Sequence, residues 1–511
     1  MSNIRRQVLR NCKRRIEYRL RDRFWEDQAD PMLTASNIHY ELAERTRALH
    51  AGGIGAMHKL ALATGLVDEI DRRVRVLKFH LPYHESDHVL NIAYNFLVGG
   101  TCLEDIELLR NNEVYMDALG AQRIPDPTTA GDFCRRFRPE DVEDLMAAIN
   151  RVRLRVWKLQ PGSFRDEAVI EADGAFAETG GECKEGMEIS HKGTWGFHPL
   201  LVSLANTREP LFIINRSGNR PSHEGAAQRF DEAIKLCREG GFRKVTMRGD
   251  TDFSQTKHLD RWDEEGVRFI FGFDAVASLV KAADGLQRTA WEALDRPPKY
   301  TVATQPRERP ENVKERIVQQ REFENKRLVS EHVAEFAYQP SSCRKSYRIV
   351  ALRKNLTIEK GELALFDEIR YFFYITNDHR AEPAAVVREA NDRCDQENLI
   401  AQLKSGVRAL HAPVDNLVSN WAYMVMASLA WTLKAWFALV LPEGGRWEEK
   451  HKVEKQRVLR MEFKTFLNAF IRIPAQIVRQ GRKIIYRLLS WNPWEAILFR
   501  AVDCLRNPLR C

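Results

Sequence analysis

Between residues 167 and 273 the chain changes its period, and that change limits the fold more than any other feature. EAVIEADGAF is a short β-branched run ending in Asp173-Gly174. MEISHKGTWGFHPLLVSL follows with looser alternation, and PLFIINRSG makes a third strand closed by a turn. GAAQRFDEAIKLCREGG then sets Ala227, Phe230, Ala233, Ile234 and Cys237 on one helical face, with Gly240-Gly241 as the stop. KVTMRGD is a fourth strand ending at Asp250, TKHLDRWDEEG a helix, and VRFIFGF a fifth strand.

Three strands, a helix, then strand–helix–strand is the order of an RNase H-like α/β sheet. The flanks differ in character. Residues 1–160 read as a helical region. Within it Ser86 is the expected cap of DHVLNIAYNFLVGG, and Thr128 or Thr129 the cap of the helix in PDPTTAGDFCRRF. Residues 161–275 form the first part of the core. Residues 276–380 interrupt it as a β-rich insertion carrying RLVSEHVAEFAY, SYRIVALR and RYFFYITND. Residues 381–441 return to the core with two helices, and 442–511 read as a basic helical tail.

Charge is unevenly spread. Residues 1–24 hold nine Lys and Arg against Glu17 and Asp22, and residues 446–511 hold fifteen against six acids. Two basic ends around an acidic middle suit a polyanion-binding protein whose centre collects carboxylates, although solvated helices can look the same. Ile4, Val8, Cys12, Ile16, Leu20 and Phe24 recur every fourth residue, so the first segment reads as an amphipathic basic helix rather than an apolar leader. The nine cysteines form no CxxC pair, which points to a reducing compartment without a zinc site, and so to a cytoplasmic, nucleoid-associated protein. WAYMVMASLAWTLKAWFALVL, residues 421–441, could pass for a membrane span. Lys434 at its centre would cost about 2.5–3.5 kcal/mol in a bilayer, so a buried core helix is the better reading, with no membrane partner. His80, His84 and His88 recur at metal-ligand spacing, but Pro82 interrupts them and no carboxylate pattern completes a site.

Asp173 and Asp250 both end short apolar strands, where α/β folds bind ligands. NDRCDQENLIAQLK, residues 391–404, sets Arg393, Glu397 and Lys404 along one edge of an apolar helical stripe. Two aspartates and a glutamate are a hard oxygen set suited to Mg²⁺ or Mn²⁺. Two such ions can activate a hydroxyl and stabilise the departing oxygen in phosphoryl transfer. Each carboxylate alone is more often a turn former than a ligand. Arg393 with Glu397 is equally an ordinary surface pair worth a few tenths of a kcal/mol. That bland reading leaves Lys404 unexplained.

The spacing R-x3-E-x6-K resembles the tail of the tyrosine–arginine–glutamate–lysine motif of bacterial insertion-sequence DDE transposases. EADGAF resembles their first-aspartate strand and VTMRGDTDF their second; YFFYITND, PDPTTAGDFCRRF and PAQIVRQGRKIIYRLL are similar to further segments. The match is to the transposase DDE domain group 1 subgroup, over residues from about 50 to 490. The resemblance implies Asp173, Asp250 and Glu397 as a metal-binding catalytic triad, served by Mg²⁺ or Mn²⁺, two ions together. It implies Arg393 and Lys404 as DNA contacts near the cleaved end. The N-terminal helices and the tail, through Arg479, Arg482, Lys483 and Arg487, would recognise terminal inverted repeats. The implied protein is a homodimeric transposase acting on element ends and target DNA, by cut-and-paste and through a hairpin intermediate. Two departures stand out: Ala390 occupies the motif's tyrosine position, and Thr251-Asp252 replaces a small pair after Asp250. Trp291 in the insertion could stack on a flipped base, though packing is its more ordinary role. A non-mobile nuclease or recombinase, and a non-catalytic DNA-binding descendant, are the alternatives.

Overall fold

The computed structural model describes residues 3–21, 33, 35–41, 46–296, 312–361, 363–392 and 394–506. The helices that matter here are α1 (Asn3–Arg19), α2 (Glu85–Val98), α3 (Pro139–Lys158), α4 (Ala226–Glu239), α5 (Leu259–Glu264), α6 (Pro383–Asn391), α7 (Cys394–Ala401) and α8 (Leu417–Leu439). The strands are β1 (Glu167–Gly174), β2 (Leu200–Leu204), β3 (Glu209–Ile214), β4 (Lys244–Gly249), β5 (Arg268–Phe273), β6 (Glu324–Tyr338), β7 (Tyr347–Lys360), β8 (Leu363–Thr376), β9 (Ala475–Gln480) and β10 (Lys483–Leu488).

The core sheet has the expected order. β3, β2 and β1 are antiparallel neighbours, and β4 and β5 continue from β1 in parallel, reached through α4 and α5. β1 and β4 are nearly continuous apolar runs because both of their faces are covered. One difference from expectation lies in the second run: it is split into short strands at 188–189 and 195–197 before β2. Gly193 takes φ +78 and Pro199 has no amide to donate, so one long strand cannot form there.

The β-rich segment is not a separate body. β8 pairs antiparallel with β5 from Phe373↔Phe273 to Thr376↔Ile270, and β7, β6 and the short strand Glu292–Ala293 continue outward. Nine strands thus form one sheet. Trp291 is packed within it: 9% of its surface is exposed, with the Arg353 guanidinium 4.3 Å from its ring centre. That cover leaves packing as its role rather than stacking on a base.

The apolar helix α8 is long and apolar enough to cross a membrane, and here it is buried against α2, α3 and β3. Lys434 within it donates to the Leu459 carbonyl at 2.5 Å and sits 4.2 Å from the Trp431 ring centre. α3, α8 and β3 meet at the fully buried Glu209. Its carboxylate accepts from Arg153 (3.0 Å), Trp157 (3.1 Å), Trp436 (2.8 Å) and Thr207 (2.6 Å). A buried charge is tolerated only when paired and hydrogen-bonded, and this one ties the helical layer to the sheet edge.

Local starts differ from the expected caps. α2 begins at His84, whose backbone N–H donates to Asp87 at 2.8 Å, while Ser86 donates its hydroxyl to Asp71 at 2.9 Å. The helix Pro127–Arg135 is capped by Asp126, which accepts the Thr129 amide at 2.7 Å; Pro127 at the first position needs no partner. The histidine trio disperses: His80 pairs with Glu85 at 3.1 Å, while His88 is buried against Phe133.

The tail is helical only in part. Residues 475–488 form the hairpin β9–β10, and β9 also pairs with Ala48–Leu49. Gly481 at φ +58 makes the two-residue turn, and Ile477 and Val478 alternate sides as a strand requires. The N-terminal helix is present as α1, its half-buried Cys12 and Ile16 beside Leu489 and Trp491.

Candidate active site

β1 and β4 run parallel in the register Glu167↔Lys244 to Glu171↔Arg248. Two residues further along each chain, Asp173 comes beside Asp250, at the strand spacing of about 5 Å. Asp173 closes β1 opposite Leu201 of β2. Asp250 follows β4 and caps the turn Thr251–Phe253, accepting the Asp252 amide at 3.1 Å. Both aspartates are half-buried, and Asp252 is exposed.

Side chains two apart on a strand share a face, so the aspartates lie on the face of Glu171 and Arg248. Those two form a buried ion pair of 2.7 Å. The same face is roofed by α6 and α7. Arg248 donates to the Glu389 carbonyl at 2.9 Å, and Arg268 holds the Glu389 carboxylate at 2.6 and 2.7 Å and Asp378 at 2.8 Å. From α7, buried Gln396 is hydrogen-bonded to Ser203, the β2 residue opposite Glu171.

α7 does not run on as one regular helix. It ends at Ala401 and widens into a π-turn, Gln402–Gly406, which carries Lys404. Lys404 is half-buried. Burial pushes its pKa below the ordinary lysine value, and the Asp173 carboxylate pulls it back up, so the two charges face one another. The structure therefore brings together Asp173, Asp250 and Lys404. Glu397 sits one residue beyond the buried Gln396, exposed on α7. Arg393 lies outside the described residues. Ala390, at the motif's tyrosine position, is half-buried and packs on the small core formed by Val386, Val387 and Ile270.

Among the described residues no group of three or more His, Cys, Asp or Glu is placed to hold a metal ion. Two of the three expected donors are gathered by adjacent strand ends; the third is on the roof. In kind the donors fit a hard divalent cation. In position, only the aspartate pair does.

Sequence reasoning missed His198. Its ring stands against Gly174: a Cβ built there would lie 2.6 Å from Nε2. Burial, with Arg216, His191 and Lys404 nearby, lowers its pKa. The only sequence signal was a lone histidine before Pro199, entering the strand that pairs with β1.

The tail cations separate by face. Lys483 and Arg487 are exposed on one face of the hairpin, and Arg482 is exposed at its turn. Arg479 lies on the opposite face with Ile477 and Tyr486, and pairs with Asp117 at 3.0 Å.

A family model described as transposase DDE domain group 1 matches residues 50–509. No curated protein sequence matches the chain. Among solved structures, one similar chain is in a cryo-EM structure of a piggyBac transposase synaptic complex with hairpin DNA. It has 10% identity and a TM-score of 0.37, over 80% of this chain and 81% of that one.

Proposed function

We propose that this chain, which belongs to the transposase DDE domain group 1 family, cleaves the ends of its own element and joins their 3′-hydroxyls to target DNA. The observation that supports this most is the pairing of Asp173 and Asp250 at neighbouring parallel strand ends, with Lys404 facing Asp173. Mg²⁺ or Mn²⁺, as two ions held by Asp173, Asp250 and Glu397, would activate the attacking hydroxyl and stabilise the departing oxygen. Glu397 completes that set only if α7 turns its exposed edge toward the strand ends when DNA is bound. Lys404 would take a phosphate oxygen beside Asp173, and Arg393 would extend the same interaction. Exposed Arg482, Lys483 and Arg487, with α1, would hold the terminal repeats. Arg479 is already committed to Asp117 and contributes less.

Acting on two ends at once, the protein would work as a homodimer on DNA in the cytoplasm. The β-rich insertion resembles that of enzymes using a hairpin intermediate, so cut-and-paste is the route we favour. One observation favours a second reading, a DNA-binding descendant without activity: Glu397 is not gathered with the aspartates.

Incubation with paired duplexes from the two flanks of the gene tests the proposal. Joined products are expected. Nicking without joining would mean a nuclease, and binding without either would mean the inactive descendant.

A further inference from the structure

We propose that His198 is an active-site residue whose Nε2 accepts a hydrogen bond from the hydroxyl that attacks the scissile phosphate, an assignment that rests on the transposase reading above. Its ring is fixed. Nδ1–H donates to the Arg220 carbonyl at 2.7 Å, which leaves the lone pair of the neutral ring on Nε2. Among the described residues that nitrogen has no hydrogen-bond partner.

The backbone of His198 is clamped from both sides by one residue. Its N–H donates to the Arg216 carbonyl at 2.8 Å, and Arg216 Nε donates to its carbonyl at 2.9 Å. The same buried guanidinium holds the carbonyls of Pro221 (3.1 Å), Ser222 (3.1 Å) and Glu224 (2.7 Å). Arg216 therefore shapes both the histidine and the loop that supplies its acceptor. Such support is what a residue held for a geometric task requires.

Where the free nitrogen stands decides what it can bind. It lies over Gly174, immediately after Asp173, where any side chain would collide with it. A lone pair repels phosphate oxygens, which are themselves acceptors, and attracts a hydroxyl. Lys404, a donor facing Asp173, has the opposite preference. The two side chains divide the substrate: Lys404 takes the phosphate, and His198 takes the attacking water or 3′-hydroxyl. Orientation of the attacking group is much of what a protein contributes to phosphoryl transfer.

Two variants separate this role from a structural one. His198→Asn keeps an amide donor near the Nδ1 position and loses Nε2; His198→Gln places an amide near Nε2 and loses the donor to Arg220. Single-turnover cleavage and DNA binding are measured on duplexes from the gene's flanks in Mg²⁺, with thermal unfolding as the check on folding. His198→Asn should lose ~100-fold in cleavage rate with DNA binding unchanged, and His198→Gln should keep more activity than His198→Asn. If His198→Asn cleaves as fast as wild type, or both variants lose equally, the assignment is overturned. If the wild-type protein itself does not cleave, the transposase reading fails instead.

Discussion

Glu171 and Arg248 are joined by a buried ion pair of 2.7 Å, two residues behind Asp173 on one strand and two behind Asp250 on the next. The pair sets the two strand ends against each other. Through Arg248 and the Glu389 carbonyl it also ties them to the helix that precedes α7.

Removing one partner leaves a buried charge uncompensated. Arg248→Met should therefore cost about 3–5 kcal/mol, read from urea unfolding. The double variant Glu171→Gln/Arg248→Met should recover part of that loss. A cost below about 1 kcal/mol for the single change would show that water reaches the pair.

Two buried groups give opposite pH slopes. Burial pushes the Glu495 carboxyl up to about 7, so the folded state holds a proton that the unfolded state has released. Its contribution is full below the unfolded pKa near 4.5 and is lost as pH rises through 7. Burial holds Lys434 down at about 7, so above that pH the unfolded state binds the extra proton, and stability rises toward pH 10.5. Each slope is at most about 1.4 kcal/mol per pH unit. Unfolding midpoints measured from pH 5 to 10 should show Glu495→Gln removing the fall and Lys434→Met removing the rise.

Charge at the hairpin should be read by DNA phosphates. Lys483→Glu and Arg487→Glu should weaken binding to any duplex and lower the salt slope by about 0.9 for each phosphate no longer neutralised. Arg479→Gln, already paired with Asp117, should do less. Fluorescence anisotropy across a salt series gives the comparison; equal effects from all three would deny the hairpin a preferred face.

The core strands were legible because each apolar run stops at a residue with a physical reason to stop, as β1 does at Asp173-Gly174 and β4 at Gly249-Asp250. The hairpin was not, because QIVRQGRKIIY pairs adjacent apolar residues, and a short run of that kind fits either period. That the β-rich segment extends the core sheet could not be read locally, since it depends on β8 meeting β5 across nearly a hundred residues. The caps slipped by two or three positions: Asp126 and Ser86 both had competing partners within one turn. At the site, the aspartates were found from strand ends, which sequence shows. The place of Glu397 depends on the α7 register and the π-turn beyond it, which sequence does not show. His198 was passed over because only the folded loop around Arg216 aims it.

The most direct test is Mg²⁺-dependent strand joining of paired flank duplexes by the wild type and by Asp173→Asn, Asp250→Asn and Glu397→Gln. Joining should occur with the wild type and fall at least ~1,000-fold in each variant, with DNA binding retained. Joining by Asp250→Asn at the wild-type rate would contradict the account.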